Sequence, residues 1–476
     1  MKKRWDAFVV GSGPNGLAAA ILLAQQGLSV KVFEEKNTIG GGVRTEELTL
    51  PGYLHDVCSA IHPLAIASPF FRDLPLSKYG LEWIHPSAPL AHPFDDGSCA
   101  LLERSIEATC NTLEEDGQAY RQLMEPFVQS WSKIENALLG PLSIPSHPLK
   151  ALQFGIKGIR SAKSLCGSYF RKKKAAALFA GLAAHSILPL DSPVTAAAAL
   201  LLGVCGHVWG WPMPMGGSGA LAKALGEHFL SLGGEIETGF KVCSLKDLPP
   251  CKALLFDITP RQILEIASEE LSPFYRGQLE KYRYGPGVFK IDWALSSPIP
   301  WKAKECLRAG TVHLGGDFDE IASGEKAVWN NEHPQKPYVL IAQATLFDPT
   351  RAPEGKHTAW AYCHVPHGST VDMTDAIERQ VERFAPGFRE CILAKSTKNT
   401  SEMHAYNSNY IGGDIIGGVQ DIWQLFTRPV KRLVPYATSN PRLFICSSST
   451  PPGGGVHGMC GYHAAKVVLD RVFTSF

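Results

Sequence analysis

One stretch decides the fold of this 476-residue chain, AFVVGSGPNG at residues 7–16. Its first four apolar residues predict a buried strand, and the Gly-x-Gly-x-x-Gly pattern after them predicts a turn into a helix over 17–26. A second strand over 29–33 then ends at Glu34. This order predicts a β-α-β unit that binds a dinucleotide at the positive N-terminus of its helix. A plain glycine turn is the alternative for so short a motif, but the flanking strands and the acid argue against it.

Each residue type in this unit has a physical reason. Gly11 permits the tight turn, Gly13 lets the backbone approach a pyrophosphate, and Gly16 lets the helix lie against the strand. Glu34 is placed to accept hydrogen bonds from ribose hydroxyls, and its charge repels a 2′-phosphate.

Composition excludes several classes of protein. The chain has 46 Lys and Arg against 45 Asp and Glu, so no global field recruits nucleic acid, and we expect no nucleic-acid partner. Its 12 cysteines contain no C-x-x-C pair, which argues against zinc or iron–sulfur sites. We expect no metal, free thiols and a reducing, cytoplasmic location. No apolar run reaches the 18 residues of a membrane span.

The C-terminal end repeats the strand-to-helix pattern. Residues 442–446 predict a strand, residues 447–458 contain a serine and glycine run, and Ala464 to Val472 predict an amphipathic helix. Such a run exposes backbone amides just before the helix. A flexible linker is the alternative, although linkers seldom join a buried strand to a helix.

Longer segments resemble a known family. The run Ile39 to Thr45 after Glu34 resembles the FAD-binding signature of the glutathione-reductase-like superfamily. Together with 50–56, 211–221 and 451–456, it makes the whole chain resemble the phytoene desaturase and carotenoid isomerase group of flavoproteins. The phytoene-dehydrogenase-related (pyridine-nucleotide-disulfide-oxidoreductase-like) branch is the nearer match.

This resemblance implies FAD as cofactor and an α/β fold. We expect a glutathione-reductase-like FAD-binding Rossmann domain with an inserted α+β substrate domain. The expected cofactor-binding residues are Gly11, Gly13, Pro14, Asn15, Gly16, Glu34, Glu35, Lys36, Gly40, Gly41, Gly42, Arg44, Val242, Ser447, Gly455, Val456 and His457. The candidate catalytic residues are His457, which we expect beside the flavin, His62 and His185. For His62 a structural role is the alternative, and for His185 a hydrogen-bonded place in the core.

The expected FAD domain is discontinuous, over 1–70, 212–285 and 415–476, and the substrate domain covers 71–211 and 286–414. Period-2 alternation at 289–295, with apolar runs at 338–345 and 358–364, predicts an antiparallel sheet that covers the flavin.

Residues 149–210 are expected to be helical and to include a membrane-facing segment. Between Glu135 and Asp191 there is no acid, and apolar residues alternate with eight cations: Lys150, Lys157, Arg160, Lys163, Arg171, Lys172, Lys173 and Lys174. This pattern fits a helix on an anionic membrane surface, so the location includes peripheral membrane binding. A solvated face neutralised by acids from elsewhere is the alternative.

The resemblance implies an FAD-dependent oxidoreductase that moves hydride from a C–H bond of an apolar, polyene or lipid-like substrate to flavin N5. Its electron acceptor is quinone, oxygen or another molecule. The cofactor performs the difficult step, so no acid–base pair is needed in the sequence. A redox-neutral isomerase that uses reduced FAD and a flavin-holding interaction protein with little turnover are the alternatives.

Overall fold

The computed structural model describes residues 4–473. Its strands are β1 (Ala7–Val10), β2 (Val30–Phe33), β3 (Thr45–Glu47), β4 (Leu54–Asp56), β5 (Trp83–Ile84), β6 (Ala88–Pro93), β7 (Cys99–Leu102), β8 (Met213–Pro214), β9 (Glu235–Glu237), β10 (Ala253–Phe256), β11 (Gly287–Leu295), β12 (Ala309–Leu314), β13 (Val339–Ala342), β14 (His357–Val365), β15 (Ile392–Lys398) and β16 (Leu443–Ile445).

The α-helices are α1 (Pro14–Gln25), α2 (Pro63–Ala67), α3 (Pro69–Asp73), α4 (Ile106–Thr112), α5 (Gly117–Gln129), α6 (Trp131–Leu138), α7 (Pro148–Gly158), α8 (Ala162–Tyr169), α9 (Lys173–Ala184), α10 (Thr195–Val208), α11 (Gly219–Ser231), α12 (Pro260–Ala267), α13 (Pro273–Leu279), α14 (Phe318–Trp329), α15 (Thr374–Phe384), α16 (Thr400–Tyr406), α17 (Ile422–Thr427) and α18 (Met459–Val468).

A parallel sheet of order β16-β10-β1-β2-β9 forms the nucleotide end of the molecule. All four residues of β1 are buried, as expected for a central strand covered on both faces. Because the strands are parallel, Gly11, Glu34 and Asp257 follow three of them at the same edge. The mixed α/β, Rossmann-type fold is thus confirmed.

Helix α1 begins at Pro14, three residues before the predicted start, because proline is favoured in the first helical turn. It packs against α11 and α18. A Cβ added at Gly461 of α18 would lie 1.8 Å from the Asn15 carbonyl oxygen. The two helices therefore meet backbone to backbone.

A second sheet has the order β15-β11-β14-β13-β12-β6-β7. The predicted antiparallel pairing is confirmed for β11, β13 and β14. Strands β6 and β12 were not part of that prediction, and they pair in parallel. One face buries Ile341 and Ala361 together with Ile377 of α15. The opposite face carries Leu340, Trp360 and Tyr362 into the core shared with α1.

Residues 149–210 form the helices α7 to α10, as predicted. Three of the eight cations are neutralised by acids from elsewhere, since Lys172, Lys173 and Lys174 pair with Glu115, Asp96 and Glu114 at 2.6–3.0 Å. Within residues 4–473 no helix has both the length and the apolar character to cross a membrane. All twelve cysteines are free thiols. The domain boundaries stay a prediction.

Candidate functional site

A cavity of about 610 Å³ lies between the edge of the parallel sheet and the second sheet. It brings together most of the predicted site residues. Those that line it are Gly11, Gly13, Pro14, Asn15, Glu34, Glu35, Lys36, Gly41, Gly42, Arg44, His62, His185, Val242, Gly455 and Val456. The N-terminal motif, the C-terminal glycine run and two candidate catalytic histidines therefore share one space.

The glycine turn forms a cradle of bare backbone at one end of this cavity. A Cβ added at Gly41, which has φ +56°, would lie 3.0 Å from the Cα of Gly13. Gly13 is the N-cap of α1 and has no side chain to accept the free N–H groups of the first turn. A phosphate group fits such an end because backbone donors and the helix dipole both favour negative charge.

Asp257 closes this cradle from the end of β10, and it was not among the predicted site residues. Its Oδ2 accepts the N–H of Gly16 at 2.9 Å. Complete burial raises the pKa of this carboxyl group to about 8, and the charge of Glu34 adds to the shift. The position at the end of a predicted parallel strand was the signal that could have found it.

Glu34 is buried at the cavity wall and is held by neighbours of the glycine turn. One carboxylate oxygen accepts from the backbone N–H and hydroxyl of Ser12, at 3.0 and 2.6 Å. The other accepts from the Lys36 N–H at 2.9 Å and from Arg44 at 3.3 Å. The acid therefore joins the first turn to the Gly-Gly segment, and its contact with ribose stays a prediction.

Four predicted site residues do not line the cavity. The Gly16 N–H donates to Asp257, and the Gly40 N–H donates to the Ser12 carbonyl. Ser447 is buried with its hydroxyl 2.7 Å from that of Ser449, and Ser448 lines the cavity in its place. The fourth is His457.

The ring of His457 braces the C-terminal glycine turn. Nδ1 accepts the Met459 N–H at 3.0 Å, so Nε2 carries the proton and donates to the Gly453 carbonyl at 3.2 Å. Burial lowers the pKa of His457 to about 4. His457 therefore positions the turn that carries Gly455 and Val456. Contrary to our expectation, its ring does not line the cavity.

His62 lies in the cavity wall with a defined tautomer. The Ser218 hydroxyl donates to the Ser59 carbonyl at 2.6 Å, so it accepts from His62 Nε2 at 2.7 Å. Nδ1 is therefore unprotonated, and it is buried with no partner among residues 4–473. Burial lowers the pKa of His62 to about 4, which keeps the ring neutral at pH 7.

His185 combines both roles considered for it, since it lines the cavity and is hydrogen-bonded in the core. Its Nε2 lies 3.1 Å from Nε2 of His313 on β12. Burial lowers the pKa of His185 to about 3, so the pair is neutral and one ring donates to the other. The His313 partner was not predicted.

The second sheet supplies wall residues that sequence reasoning also missed. Trp360 and Tyr362 stack with ring centroids 5.6 Å apart, and Thr311 and Leu340 lie on neighbouring strands. We call the following set the substrate wall: His62, Leu64, His185, Leu202, Trp211, Thr311, Leu340, Trp360 and Tyr362. The alternation of β14 was the available signal, but it does not say which face meets the cavity.

Comparison with known proteins agrees with this arrangement. A family model described as an NAD(P)-binding Rossmann-like domain matches residues 9–74. The chain is 26% identical to "Pyridine nucleotide-disulfide oxidoreductase domain-containing protein 2" of Mus musculus, over 98% of this chain and 94% of the relative. It is 22% identical to "Phytoene desaturase (lycopene-forming)" of Pantoea ananas, over 97% and 98% of the two chains.

The chain is similar along nearly its whole length to oxidoreductases of the phytoene desaturase-like group. A structure of putrescine oxidase has the same fold, with a TM-score of 0.63, 16% identity and coverage of 98% of this chain and 100% of that one. The protein is an FAD-dependent oxidoreductase. Its cradle fits that cofactor, because side chains at Gly13 and Gly41 would fill the space that a diphosphate needs.

Proposed function

We propose that this FAD-dependent oxidoreductase dehydrogenates an uncharged, apolar substrate of polyene or lipid-like character. The observation that carries the proposal is the lack of charge on the substrate wall. Among the described residues that line the cavity, the carboxylates are Glu34, Glu35, Asp257 and Glu265, all on or beside the parallel sheet. An ammonium substrate would need a carboxylate at the other end.

The wall also lacks positive charge. Burial keeps His62 and His185 neutral, with pKa values of about 4 and about 3. Trp211, Trp360 and Tyr362 add large apolar surfaces, which favour a hydrocarbon body over a hydrated one. Of the substrates named by the matched proteins, this wall suits phytoene better than putrescine.

Bound FAD supplies a two-electron acceptor for hydride from the substrate C–H bond. We infer a glutathione-reductase-like binding mode, with the diphosphate on the N-terminus of α1 and against Gly41, and adenosine near Glu34 to Lys36. Ser448, Gly455 and Val456 then face the flavin. The substrate wall orients the C–H bond and excludes water.

An anaerobic titration tests this proposal. The visible flavin band of the holoenzyme is recorded while carotenoid precursors, acyl lipids and amines are added in turn. We expect bleaching by a polyene or lipid and none by amines, with a product two hydrogens lighter. Bleaching by amines alone contradicts the proposal. A product of unchanged mass formed by pre-reduced enzyme favours the isomerase, and a flavin that no compound bleaches favours the interaction protein.

A second surface suits delivery of such a substrate. Helix α7 buries Phe154 against Phe127, and its outer side exposes Leu149 to 80%, with Leu152 and Ile156 one and two turns further on. These residues repeat at helical spacing. Ile144, in the loop before α7, is also 96% exposed. A contiguous exposed stripe of this kind marks an interaction site.

We propose that this stripe docks on an anionic bilayer. Lys150, Lys157, Arg160 and Lys163 lie in or shortly after α7 and form no ion pair with another described residue, although Lys157 contacts Tyr169 and Arg160 donates to Ser164 and Ser168. The charge complementarity is that of an interfacial helix.

Flotation with vesicles tests the docking. We expect binding to vesicles of phosphatidylcholine with phosphatidylserine at low salt, and loss of binding for the double variant Leu152→Glu, Ile156→Glu. Phe274→Glu is the control, since Phe274 is 79% exposed, more than Leu152 at 58% and Ile156 at 59%, but lies on α13. Equal flotation of all three proteins, or none by the unaltered enzyme, contradicts the proposal.

A further inference from the structure

One ring nitrogen of His185 is open to the cavity. The residue is half-buried and lines the cavity. Its Nδ1 has no hydrogen-bond partner among residues 4–473 and keeps accessible surface, unlike the enclosed Nδ1 atoms of His62 and His313. A polar atom on an otherwise apolar wall is available to orient a ligand. Whether this nitrogen donates or accepts depends on the tautomer of the ring.

Two neighbours fix the orientation of the His185 ring. Its Nε2 lies 3.1 Å from Nε2 of His313, so one of these two nitrogens donates a proton to the other. Trp211 meets the ring edge-on, with centroids 5.9 Å apart and an angle of 89° between the ring planes. A flip of the imidazole would break the hydrogen bond to His313. Nδ1 is therefore held toward the cavity.

His313 decides which of the two rings donates. Its Nδ1 is enclosed and has no partner among the described residues. A Cβ added at Gly181 would lie 2.7 Å from this nitrogen, so the α-hydrogen in that direction points at it. A lone pair accepts such a C–H contact weakly, whereas an N–H would be left without an acceptor. His313 therefore carries its proton on Nε2 and donates to His185.

The proton of His185 then lies on Nδ1. A neutral imidazole has one N–H, and Nε2 of His185 is the acceptor for His313. Burial keeps both rings neutral, because it lowers the pKa of His185 to about 3 and holds the pKa of His313 well below its usual value. The cavity therefore receives a neutral N–H donor from the substrate wall.

A neutral donor on this wall selects a neutral acceptor. The lysines and arginines that line the cavity all belong to segments of the nucleotide end: Lys36, Arg44, Lys241 and Arg261. A carboxylate at His185 would therefore be buried without a cation. The oxygen of a ketone, aldehyde or alcohol accepts one N–H and needs no opposite charge.

We propose that His185 binds the neutral oxygen of an otherwise apolar ligand through its Nδ1–H, with His313 as the positioning residue that fixes the tautomer. The inference rests on the proposed function, since it takes the substrate wall as the place where substrate binds. It adds a carbonyl or hydroxyl group to the substrate. It also gives the substrate an orientation, because that oxygen lies at His185.

The vibrational spectrum of a bound ketone tests this contact without turnover. 2-Octanone, labelled with carbon-13 at the carbonyl, is bound to the oxidised holoenzyme under anaerobic conditions, and the infrared difference spectrum is recorded. We expect the C=O stretching band to lie at lower frequency than in an alkane solvent, because an N–H donor weakens the C=O bond. In His185→Leu the band should return to the alkane position.

Two variants separate the donor from packing. Asparagine and leucine have nearly the same shape and both lose the bond to His313, but only asparagine has an N–H donor near the position of Nδ1. The ligands are 2-octanone and 2-methyl-1-octene, in which =CH2 replaces the oxygen, and perturbation of the flavin spectrum reports binding. We expect His185→Leu to bind the ketone about two- to ten-fold more weakly than His185→Asn, and both variants to bind the alkene equally.

His92→Leu is the matched control. His92 is buried on β6 and its Nε2 bonds to the Gly316 carbonyl at 2.7 Å, but it does not line the cavity. This variant should leave the ratio of the two affinities and the position of the C=O band as they are in the unaltered enzyme.

The assignment of His185 is overturned by an unshifted C=O band in the unaltered enzyme, by failure of that enzyme to bind the ketone, or by equal ketone affinities of His185→Leu and His185→Asn. Loss of FAD from His185→Leu alone would assign the N–H to the cofactor instead. A shifted band together with a flavin that no polyene or lipid bleaches would support the His185 contact and count against the proposed dehydrogenation.

Discussion

The carboxyl group of Asp257 accepts the N–H of Gly16 at 2.9 Å, from a strand 241 residues away along the chain. A Cβ added at Gly13 would lie 2.6 Å from the same oxygen. One buried acid therefore both holds the first turn of α1 and limits the space in the glycine turn. Its ionisation and its volume each lead to a prediction.

The contribution of Asp257 to the stability of the FAD-free protein should fall as the pH rises from 4 to 8, whereas buried histidines such as His62 and His457, with pKa values of about 4, contribute in the opposite direction up to about pH 6.5. The pKa of Asp257 is about 8 in the folded protein and about 3.9 when unfolded, so the folded state holds an extra proton in this window. The loss approaches about 1.4 kcal/mol per pH unit. The free energy of unfolding in urea, measured at several pH values, tests this contribution.

Asp257→Asn isolates this contribution, because other groups titrate alike in both proteins. The amide keeps an acceptor for the Gly16 N–H and cannot ionise. We expect the difference in unfolding free energy between the two proteins to change across pH 4–8. A pH-independent difference would show that Asp257 is ionised throughout.

Gly13→Val should abolish FAD binding, because the added side chain meets Asp257 and fills the cradle. The flavin content of the purified protein, from its visible absorbance, measures this. Gly277→Val is the control, since a Cβ at Gly277 on α13 meets nothing within 4 Å. Stoichiometric FAD in Gly13→Val would refute the assigned site.

Gly461→Ala should destabilise the protein by about 1–3 kcal/mol or more, the usual cost of overpacking a core. The new methyl group would overlap the Asn15 carbonyl, 1.8 Å away, and force α18 from α1. Chemical denaturation gives the free energy of unfolding. Gly155→Ala on α7, where a Cβ meets nothing within 4 Å, should instead stabilise by about 0.5–1 kcal/mol. Equal effects at both positions would contradict the assigned helix contact.

Arg351→Met should cost about 3–5 kcal/mol of stability, because it leaves the buried carboxylate of Asp56 without its cation. The two groups lie 3.0 Å apart with both side chains 1% exposed. The pKa of Asp56 is lowered even though burial alone would raise it, since Arg351 and hydrogen bonds outweigh the burial. The ion pair therefore stabilises the folded state near neutral pH. This stabilisation is lost as the pH falls through the pKa of Asp56 in the folded protein.

The exposed pair of Arg379 and Asp375 is the reference for that variant. Arg379→Met should change the free energy of unfolding by less than about 1 kcal/mol. Similar losses for the two arginine variants would show that burial adds nothing to the Asp56 pair.

The features that could be predicted from the sequence are formed by residues close together along the chain. The strand at Ala7, the turn at Gly11 to Gly16 and the acid at Glu34 lie within one short segment, so their spacing alone indicates a nucleotide-binding unit. Regular alternation likewise predicted β11, and an apolar run predicted β14, because both signals lie within the strand itself.

Tertiary structure decided the contacts between distant segments. It placed Asp257 behind the glycine turn, His313 beside His185, and Thr311 in one row with Trp360. In the folded protein, acids from other segments also form ion pairs with three lysines of the basic stretch, whereas one apolar side of α7 remains exposed. Sequence pattern gives the period of a strand or helix, but strand order and register determine which side chains share a cavity.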